Sequence, residues 1–160
     1  MIRGNIYDNE IEDWISLSRT HVAILLTHEQ HSFLIDTGVG TYLPLKPVPL
    51  SGETVVSSNG EFRLEKTDST HGDYHLKMKL KHRHANWKTA YTFNSKQLIE
   101  DVSEFNDIQQ TLIEHPDSPF NKNPLISQLT SSGYITLTKK LFHRTNQWDS
   151  DKKNNRQRTV

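Results

Sequence analysis

Apolar and polar residues alternate along much of the first ninety positions, which is the period-two pattern of strands with one buried face. The clearest example is 74–80, where every second residue is apolar. The same pattern, or a short apolar run, predicts strands over 2–7, 22–26, 33–35, 61–65, 89–93 and 133–138. Three prolines between 44 and 49 keep that segment extended. Trp14 and Ile15 either start a short element or anchor the loop before them. Consecutive strands joined by polar turns favour an antiparallel barrel or curled sheet.

One helix is predicted over 97–114, because apolar residues recur there at helical spacing. These residues are Leu98, Val102, Phe105, Ile108 and Leu112. Asn94 or Ser95 can cap the helix, and Pro116 stops it. Residues 143–160 are polar and basic, which predicts a disordered tail. The fold class is therefore α+β, mainly β, with an antiparallel β-barrel-like centre.

The stretch 21–36 has the pattern of a hairpin, with a polar segment over 27–32 between two apolar runs. A two-residue loop at 29–30 and a four-residue loop at 28–31 both put His21 opposite Gly38. Asp36 then shares the face of His21, and their Cβ atoms lie roughly 7–8 Å apart. A three-residue loop would put the two side chains on opposite faces.

A histidine and an aspartate within reach of each other make two thirds of a nucleophile–base–orienter triad. The carboxylate of Asp36 would fix the tautomer of His21 and stabilise its imidazolium. The nucleophile is missing from the pattern, because the chain contains no cysteine. The alternative interpretation is a surface histidine that begins a strand and an aspartate that opens a turn.

Composition narrows the class of protein. Lys plus Arg and Asp plus Glu are each 19 in 160 residues, so the net charge is zero, which argues against a nucleic-acid or membrane-surface partner. Hydrophobic residues make up 33% of the chain, with a mean hydropathy of −0.71, which indicates a small core. No apolar run approaches a membrane span, and the first residues lack a signal-peptide pattern. These features predict a soluble, cytoplasmic protein.

Several motifs, in collinear order over about residues 1–142, resemble the arylamine N-acetyltransferases. In that family a strand opens with the catalytic histidine, and the next strand ends in Asp-x-Gly-x-Gly. The matching residues here are His21 and Asp36-Thr-Gly38-Val-Gly40. Other stretches similar to the family are Leu43-Pro-Leu-Lys-Pro-Val-Pro-Leu50, Asn59-Gly-Glu-Phe-Arg-Leu64, Trp87-Lys-Thr-Ala-Tyr-Thr-Phe93, Pro116-Asp-Ser-Pro-Phe120, 125–130 and Gly133-Tyr-Ile-Thr-Leu-Thr138. The resemblance implies a central β-barrel domain over 1–93, part of an α/β lid domain over 94–142, and the tail over 143–160.

The resemblance also implies an activity, the transfer of an acetyl group from acetyl-CoA to an arylamine or arylhydrazine. The mechanism is ping-pong, through an acetyl-cysteine intermediate of a Cys-His-Asp triad, with no permanently bound cofactor or metal. His21 and Asp36 would be the catalytic residues. Thr20, Val39 and Thr41 match substrate-binding positions, and valine replaces a residue that is commonly aromatic in the family. Gly38 and Gly40 match positions near the cofactor, or they serve only a turn that needs positive φ and a close backbone approach.

The chain departs from the family pattern in lacking the helical domain that carries the cysteine. We therefore expect a truncated form, cut at both ends, that is inactive alone. Ser16, Ser18 and Thr20 lie near His21, but a hydroxyl is a poor replacement for a thiolate at neutral pH. The alternative is a non-catalytic remnant, or a module that binds CoA or a partner. A missing domain would also leave an apolar face exposed, through which the chain could self-associate.

Two histidine pairs and one basic stretch are weaker candidates for binding sites. The pairs His28/His31 and His82/His84 have the spacing of metal ligands, but no nearby carboxylate or thiol completes either set. We interpret them as surface histidines and predict no metal site. The basic stretch 77–88 either meets the phosphates of CoA or forms a solvated strand face.

Overall fold

The structure is a computed structural model that describes residues 1–17, 19–38, 40–81, 83–118, 120–130, 133–139, 141–146 and 158–159. The chain divides into two compact units, Met1–Asn106 and Asp107–Val160. The first unit contains a mainly antiparallel β sheet, and the second contains one helix and a smaller sheet.

The first unit is a strongly curved sheet of nine strands. The strands are β1 (Ile2–Asp8), β2 (Asp13–Trp14), β3 (His21–His28), β4 (His31–Ile35), β5 (Val48–Pro49), β6 (Val55–Ser57), β7 (Gly60–Ser69), β8 (Gly72–Leu80) and β9 (Lys88–Phe93). Their order is β5-β4-β3-β1-β9-β8-β7-β6, with β2 paired to β1, and all pairs are antiparallel. The two ends of the sheet approach each other, because Asn59 Nδ2 donates to the carbonyl of Leu43 at 2.7 Å and Lys46 Nζ to that of Val56 at 3.0 Å. The predicted barrel-like β sheet is confirmed.

The core of this unit lies on the inner face of the curved sheet. Strand β8 shows why, since its residues alternate strictly between buried and half-buried positions from Gly72 to Leu80. The largest fully buried side chains in the sheet are Ile2, Leu34, Phe62, Leu64, Leu76, Tyr91 and Phe93. Apolar side chains also remain on the outer face of β3, where Ile24 is 48% exposed and Leu26 is 45% exposed. Self-association through such a face stays a prediction.

The hairpin of β3 and β4 has the two-residue loop. His28 pairs with His31 and Ile24 with Ile35, and Glu29 and Gln30 both have positive φ, as such tight hairpin loops require. His28 and His31 therefore end the strands instead of lying inside a longer loop. The same register, continued beyond Ile35, brings Gly38 opposite His21, as the pattern predicts.

The predicted helix over 97–114 is wrong in its first half. The structure has a short 3-10 turn, Val102–Phe105, followed by the α-helix α1, Asn106–Glu114. Residues before 102 are not helical, because both backbone groups of Ile99 bond to Met1 at 2.8 Å. Asp101 then caps the turn by accepting from the Ser103 N–H. The predicted caps form other bonds: Asn94 accepts from the Lys96 N–H, and Ser95 donates to Asp73.

The second unit holds a four-stranded antiparallel sheet in the order β10-β11-β12-β13. The strands are β10 (Leu125–Thr130), β11 (Gly133–Thr138), β12 (Leu141–Asn146) and β13 (Arg158–Thr159). The predicted strand over 133–138 is confirmed. The predicted disorder is wrong for 143–146, because these residues pair with β11. Residues 147–157 and 160 of the predicted tail lie outside the described residues. Within the described part of the chain, no helix has the length and apolar character needed to cross a membrane.

Candidate active site

The hairpin brings His21 and Asp36 into direct contact on the inner face of the sheet. His21 Nε2 lies 2.8 Å from Asp36 Oδ2, and their side chains are 8% and 0% exposed. The strand alternation that buries Ala23 and Leu34 also turns these two polar side chains inward. A polar pair is stable in such a place only when its members satisfy each other.

Asp36 accepts three hydrogen bonds. Oδ2 accepts from His21 and from the hydroxyl of Tyr91 at 2.6 Å, and Oδ1 accepts from the Gly38 N–H at 2.8 Å. Burial by itself raises the pKa of Asp36. The bonds from His21, Tyr91 and Gly38, together with the charge of His21, outweigh burial and leave that pKa below its ordinary value of 3.8. Asp36 is therefore an ionised acceptor at neutral pH.

The ionisation of Asp36 fixes the tautomer of His21. A carboxylate only accepts hydrogen bonds, so Nε2 of His21 must carry the proton in this pair. The lone pair of neutral His21 is then on Nδ1. No group in the described part of the chain forms a hydrogen bond to Nδ1. The geometry leaves a buried, oriented base with one free nitrogen.

Tyr91 is the site residue that the sequence analysis missed. It lies on β9, two strands away from His21, and its ring centroid is 4.5 Å from that of His21. Gly4, on the strand between them, makes room for this contact, since a Cβ there would come within 2.9 Å of Tyr91 Cδ2. Burial and then the charge of Asp36 raise the pKa of Tyr91 well above 10.0, so its hydroxyl remains a donor. The only signal in the sequence was its place in the family-like stretch Trp87-Lys-Thr-Ala-Tyr-Thr-Phe93.

The loop after Asp36 contains most of the predicted binding residues. Gly38 lies against His21, where a Cβ would come within 3.0 Å of Cε1, and this explains the glycine by close approach. Gly40 has φ +60° and open space around it, and it begins the 3-10 turn Gly40–Tyr42, which includes Thr41. Val39 lies outside the described residues.

Neither of the two described hydroxyl residues before His21, Ser16 and Thr20, forms a hydrogen bond to the His21 ring. Thr20 Oγ1 donates to the carbonyl of Leu17 at 3.2 Å, and Ser16 is exposed. Ser18 lies outside the described residues. Thr20 directly precedes His21 in the chain, but its hydroxyl is directed into its own turn.

The described members of the histidine pairs and of the basic stretch lie outside the His21–Asp36 contact. His28 and His31 are exposed, and His84 Nδ1 accepts from the Leu80 N–H at 3.4 Å. His82 lies outside the described residues. Among the residues that the structure describes, no three His, Asp or Glu side chains are grouped as metal ligands would be. In the basic stretch, Lys77 is within 3.8 Å of Glu65 and donates to Thr89, so its charge is partly neutralised.

Comparisons with known proteins agree with this fold. A family model described as N-acetyltransferase matches residues 1–160. An uncharacterized acetyltransferase of Bacillus subtilis, YvcN, is 37% identical over 142 residues, which cover 89% of this chain and 54% of that protein. The structure of arylamine N-acetyltransferase C from Bacillus anthracis is 34% identical with a TM-score of 0.85, covering 99% of this chain and 58% of that one. The Bacillus cereus arylamine N-acetyltransferase (BACCR)NAT3, described as having a unique Cys-His-Glu catalytic triad, has the same identity and coverages and a TM-score of 0.84.

The curved β sheet is thus shared with arylamine N-acetyltransferases of known structure. The chain belongs to the arylamine N-acetyltransferase family. It spans about half the length of the curated relatives that it matches.

Proposed function

We propose that this chain supplies the acid–base half of a site that transfers an acetyl group from acetyl-CoA to an arylamine or arylhydrazine. The observation that supports the proposal best is the buried His21–Asp36 pair at 2.8 Å, with Nδ1 of His21 left without a partner among the described residues. Since the 160 residues include no cysteine, the thiol of the proposed Cys-His-Asp triad must come from outside them.

The proposed first half-reaction begins when Nδ1 of His21 takes the proton of that thiol. The thiolate attacks the carbonyl carbon of the acetyl thioester, and the tetrahedral intermediate collapses with loss of the CoA thiolate. The imidazolium returns its proton to the leaving CoA sulfur. Asp36 holds the ring in position and stabilises its positive charge while the proton is on Nδ1.

In the second half-reaction the amine attacks the acetyl-cysteine. His21 accepts the proton that the amine loses and returns it to the cysteine sulfur, which restores the starting state. The third triad position is a carboxylate here, as in the Bacillus cereus enzyme, although that one is a glutamate. Either carboxylate can accept from an imidazole N–H.

We further propose that Thr20, Val39 and Thr41 contact the acceptor and that Gly38 and Gly40 allow the donor to approach the backbone. Valine at position 39 would leave a wider acceptor pocket than an aromatic residue. Acetyl-CoA as donor is supported by the structure of a Mycobacterium marinum arylamine N-acetyltransferase in complex with CoA, which shares the fold at 17% identity and a TM-score of 0.70.

The absence of cysteine favours a second candidate, a non-catalytic module that binds CoA or a partner. An assay of CoA release from acetyl-CoA, with a simple arylamine present, distinguishes both candidates, the acid–base half-site and the binding module, from a complete enzyme. We expect no turnover by the chain above that of a His21→Ala control. Clear turnover that disappears in the control would contradict the missing-thiol argument. Binding of CoA that is indifferent to His21→Ala and Asp36→Asn, with no effect of added thiol, would favour the module.

A further inference from the structure

The loop that follows Asp36 is held at its far end by two contacts. The carbonyl of Leu43 accepts from Asn59 Nδ2 at 2.7 Å. Next to it, Arg83 Nη1 donates to the hydroxyl of Tyr42, and the Arg83 guanidinium carbon lies 4.6 Å from the centre of the Tyr42 ring. Tyr42 thus receives both a hydrogen bond and a stacking contact from one cation.

Both anchoring residues belong to adjoining turns at one end of the curved sheet. Asn59 precedes β7 and Arg83 follows β8, and the strands pair there through Gly60 and Leu80. The turns are bonded to each other, since the Lys81 N–H donates to the carbonyl of Asn59 at 2.9 Å. The Arg83 N–H in turn donates to the carbonyl of Leu80 at 3.2 Å. Asn59 and Arg83 are therefore held by turns that are bonded directly to the end of the sheet.

At its near end the loop is fixed by Asp36, which accepts from the Gly38 N–H at 2.8 Å. Between these two fixed ends, Gly40 has φ +60°, and apart from its chain neighbours no atom of the described residues lies within 4 Å of where a Cβ would be. The described part of the chain therefore does not pack on Gly40. The Tyr42 side chain, half-buried against the core, is then the nearest feature that can set the course of the loop.

We propose that Arg83 and Tyr42 are positioning residues for the acceptor site: their contact fixes the end of the loop from Gly40 to Tyr42. This inference rests on the proposed function, because it assumes that the loop contacts the arylamine. It also gives Arg83, within the basic stretch 77–88, a role other than binding the phosphates of CoA. The Arg83 guanidinium already contacts the Tyr42 ring, so this contact competes with phosphate binding.

The test compares Arg83→Gln with Lys81→Gln, which removes a positive charge from the same turn without touching Tyr42. Two quantities are measured on the full 160-residue chain by NMR. The first is hydrogen exchange of the Gly40 and Thr41 amides. The second is the affinity for two probes, 4-methoxyaniline and CoA.

We expect Arg83→Gln to raise exchange of the two amides about tenfold, the effect of losing one charged hydrogen bond and one cation–π contact at the surface. The affinity for 4-methoxyaniline should fall by a similar factor while that for CoA is unchanged. Lys81→Gln should change neither. Arg83→Lys should not rescue the loss, because an ammonium lacks the planar fork. Tyr42→Phe, which keeps the ring, should give a smaller effect.

Unchanged exchange in Arg83→Gln would overturn the proposal, and so would full rescue by lysine. A loss of CoA affinity in place of arylamine affinity would assign Arg83 to the phosphates instead. If the wild-type chain does not bind 4-methoxyaniline, the proposed arylamine function is contradicted. The exchange measurement still decides whether the contact fixes the loop.

Discussion

Replacing Tyr91 with phenylalanine removes one hydrogen bond from Asp36 and leaves the packing of the ring intact. The hydroxyl donates to Oδ2 at 2.6 Å, and Tyr91 is fully buried. A hydrogen bond to a charged group contributes about 1.5–3 kcal/mol. Oδ2 keeps its bond to His21, so Asp36 is not left without a partner. We therefore expect Tyr91→Phe to lower the free energy of unfolding by about 1.5–3 kcal/mol at pH 7.

The same loss should appear in the titration of Asp36. The hydroxyl bonds to the ionised carboxylate, so its removal raises the pKa of Asp36 toward its ordinary value of 3.8. The direction of this change, a rise, is what the titration tests. The stability gap between wild type and variant should then shrink in acid, where Asp36 is protonated in both.

Urea unfolding at pH 7 measures the stability change, and NMR titration of the Asp36 side chain measures the pKa. Tyr74→Phe is the matched control. Tyr74 is also a buried tyrosine, stacked on Phe93 at 5.7 Å, but its hydroxyl bonds to no group in the described ranges. The control should change stability by less than about 0.5 kcal/mol. A loss in Tyr91→Phe as small as that of the control, with no change in the Asp36 pKa, would show that the Tyr91 hydroxyl does not stabilise the Asp36 carboxylate.

Three further predictions concern the surroundings of the pair. Gly4→Ala puts a Cβ 2.9 Å from Tyr91 Cδ2. We therefore expect the free energy of unfolding to fall by about 1–3 kcal/mol and the NMR signals of the His21 ring to shift. Gly40 has φ +60°, so Gly40→Ala should lower the free energy of unfolding by about 1–2 kcal/mol and leave the His21 ring signals in place. Equal ring shifts in the two variants would contradict the close packing of Gly4 against Tyr91. Burial, and then the charge of Lys77, lower the pKa of His75 below 6.5, although Glu65 opposes this. The unfolded chain therefore binds a proton at His75 before the folded chain does. The stability that neutral His75 contributes is complete above pH 6.5 and falls as the pH drops below it. Between pH 7 and 5, urea unfolding should show a smaller fall in the free energy of unfolding for His75→Gln than for wild type. An equal fall would show that His75 is not the source of this pH dependence.

The sequence could predict the hairpin and its pair because both depend on local rules. Alternation with period two fixes which side chains share a face, and an even loop length makes His21 and Asp36 neighbours. The choice between loops of two and four residues did not matter for this result. The face of the pair was therefore predictable without the tertiary structure.

The features that could not be predicted depend on contacts between distant parts of the chain. Tyr91 reaches Asp36 because β9 pairs with β1, which lies about eighty-five positions earlier in the chain, and no periodicity encodes that pairing. The predicted helix does not form over 97–101, again because of a contact with a distant part of the chain. Its apolar spacing was helical, but the backbone of Ile99 bonds to Met1 instead, and Leu98 and Val102 remain exposed. Tertiary hydrogen bonds overrode the local pattern.

The proposed function requires that His21 and Asp36 form a working base that lacks only its thiol. Acetyl exchange from acetyl-CoA to an added small thiol, 2-mercaptoethanol, tests this requirement, with chromatography of the product thioester as the readout. We predict that the chain accelerates this exchange and that His21→Ala and Asp36→Asn abolish the acceleration, while an arylamine without thiol gives no product. Equal rates for wild type and His21→Ala would contradict it, because the buried pair would then have no part in activating a thiol.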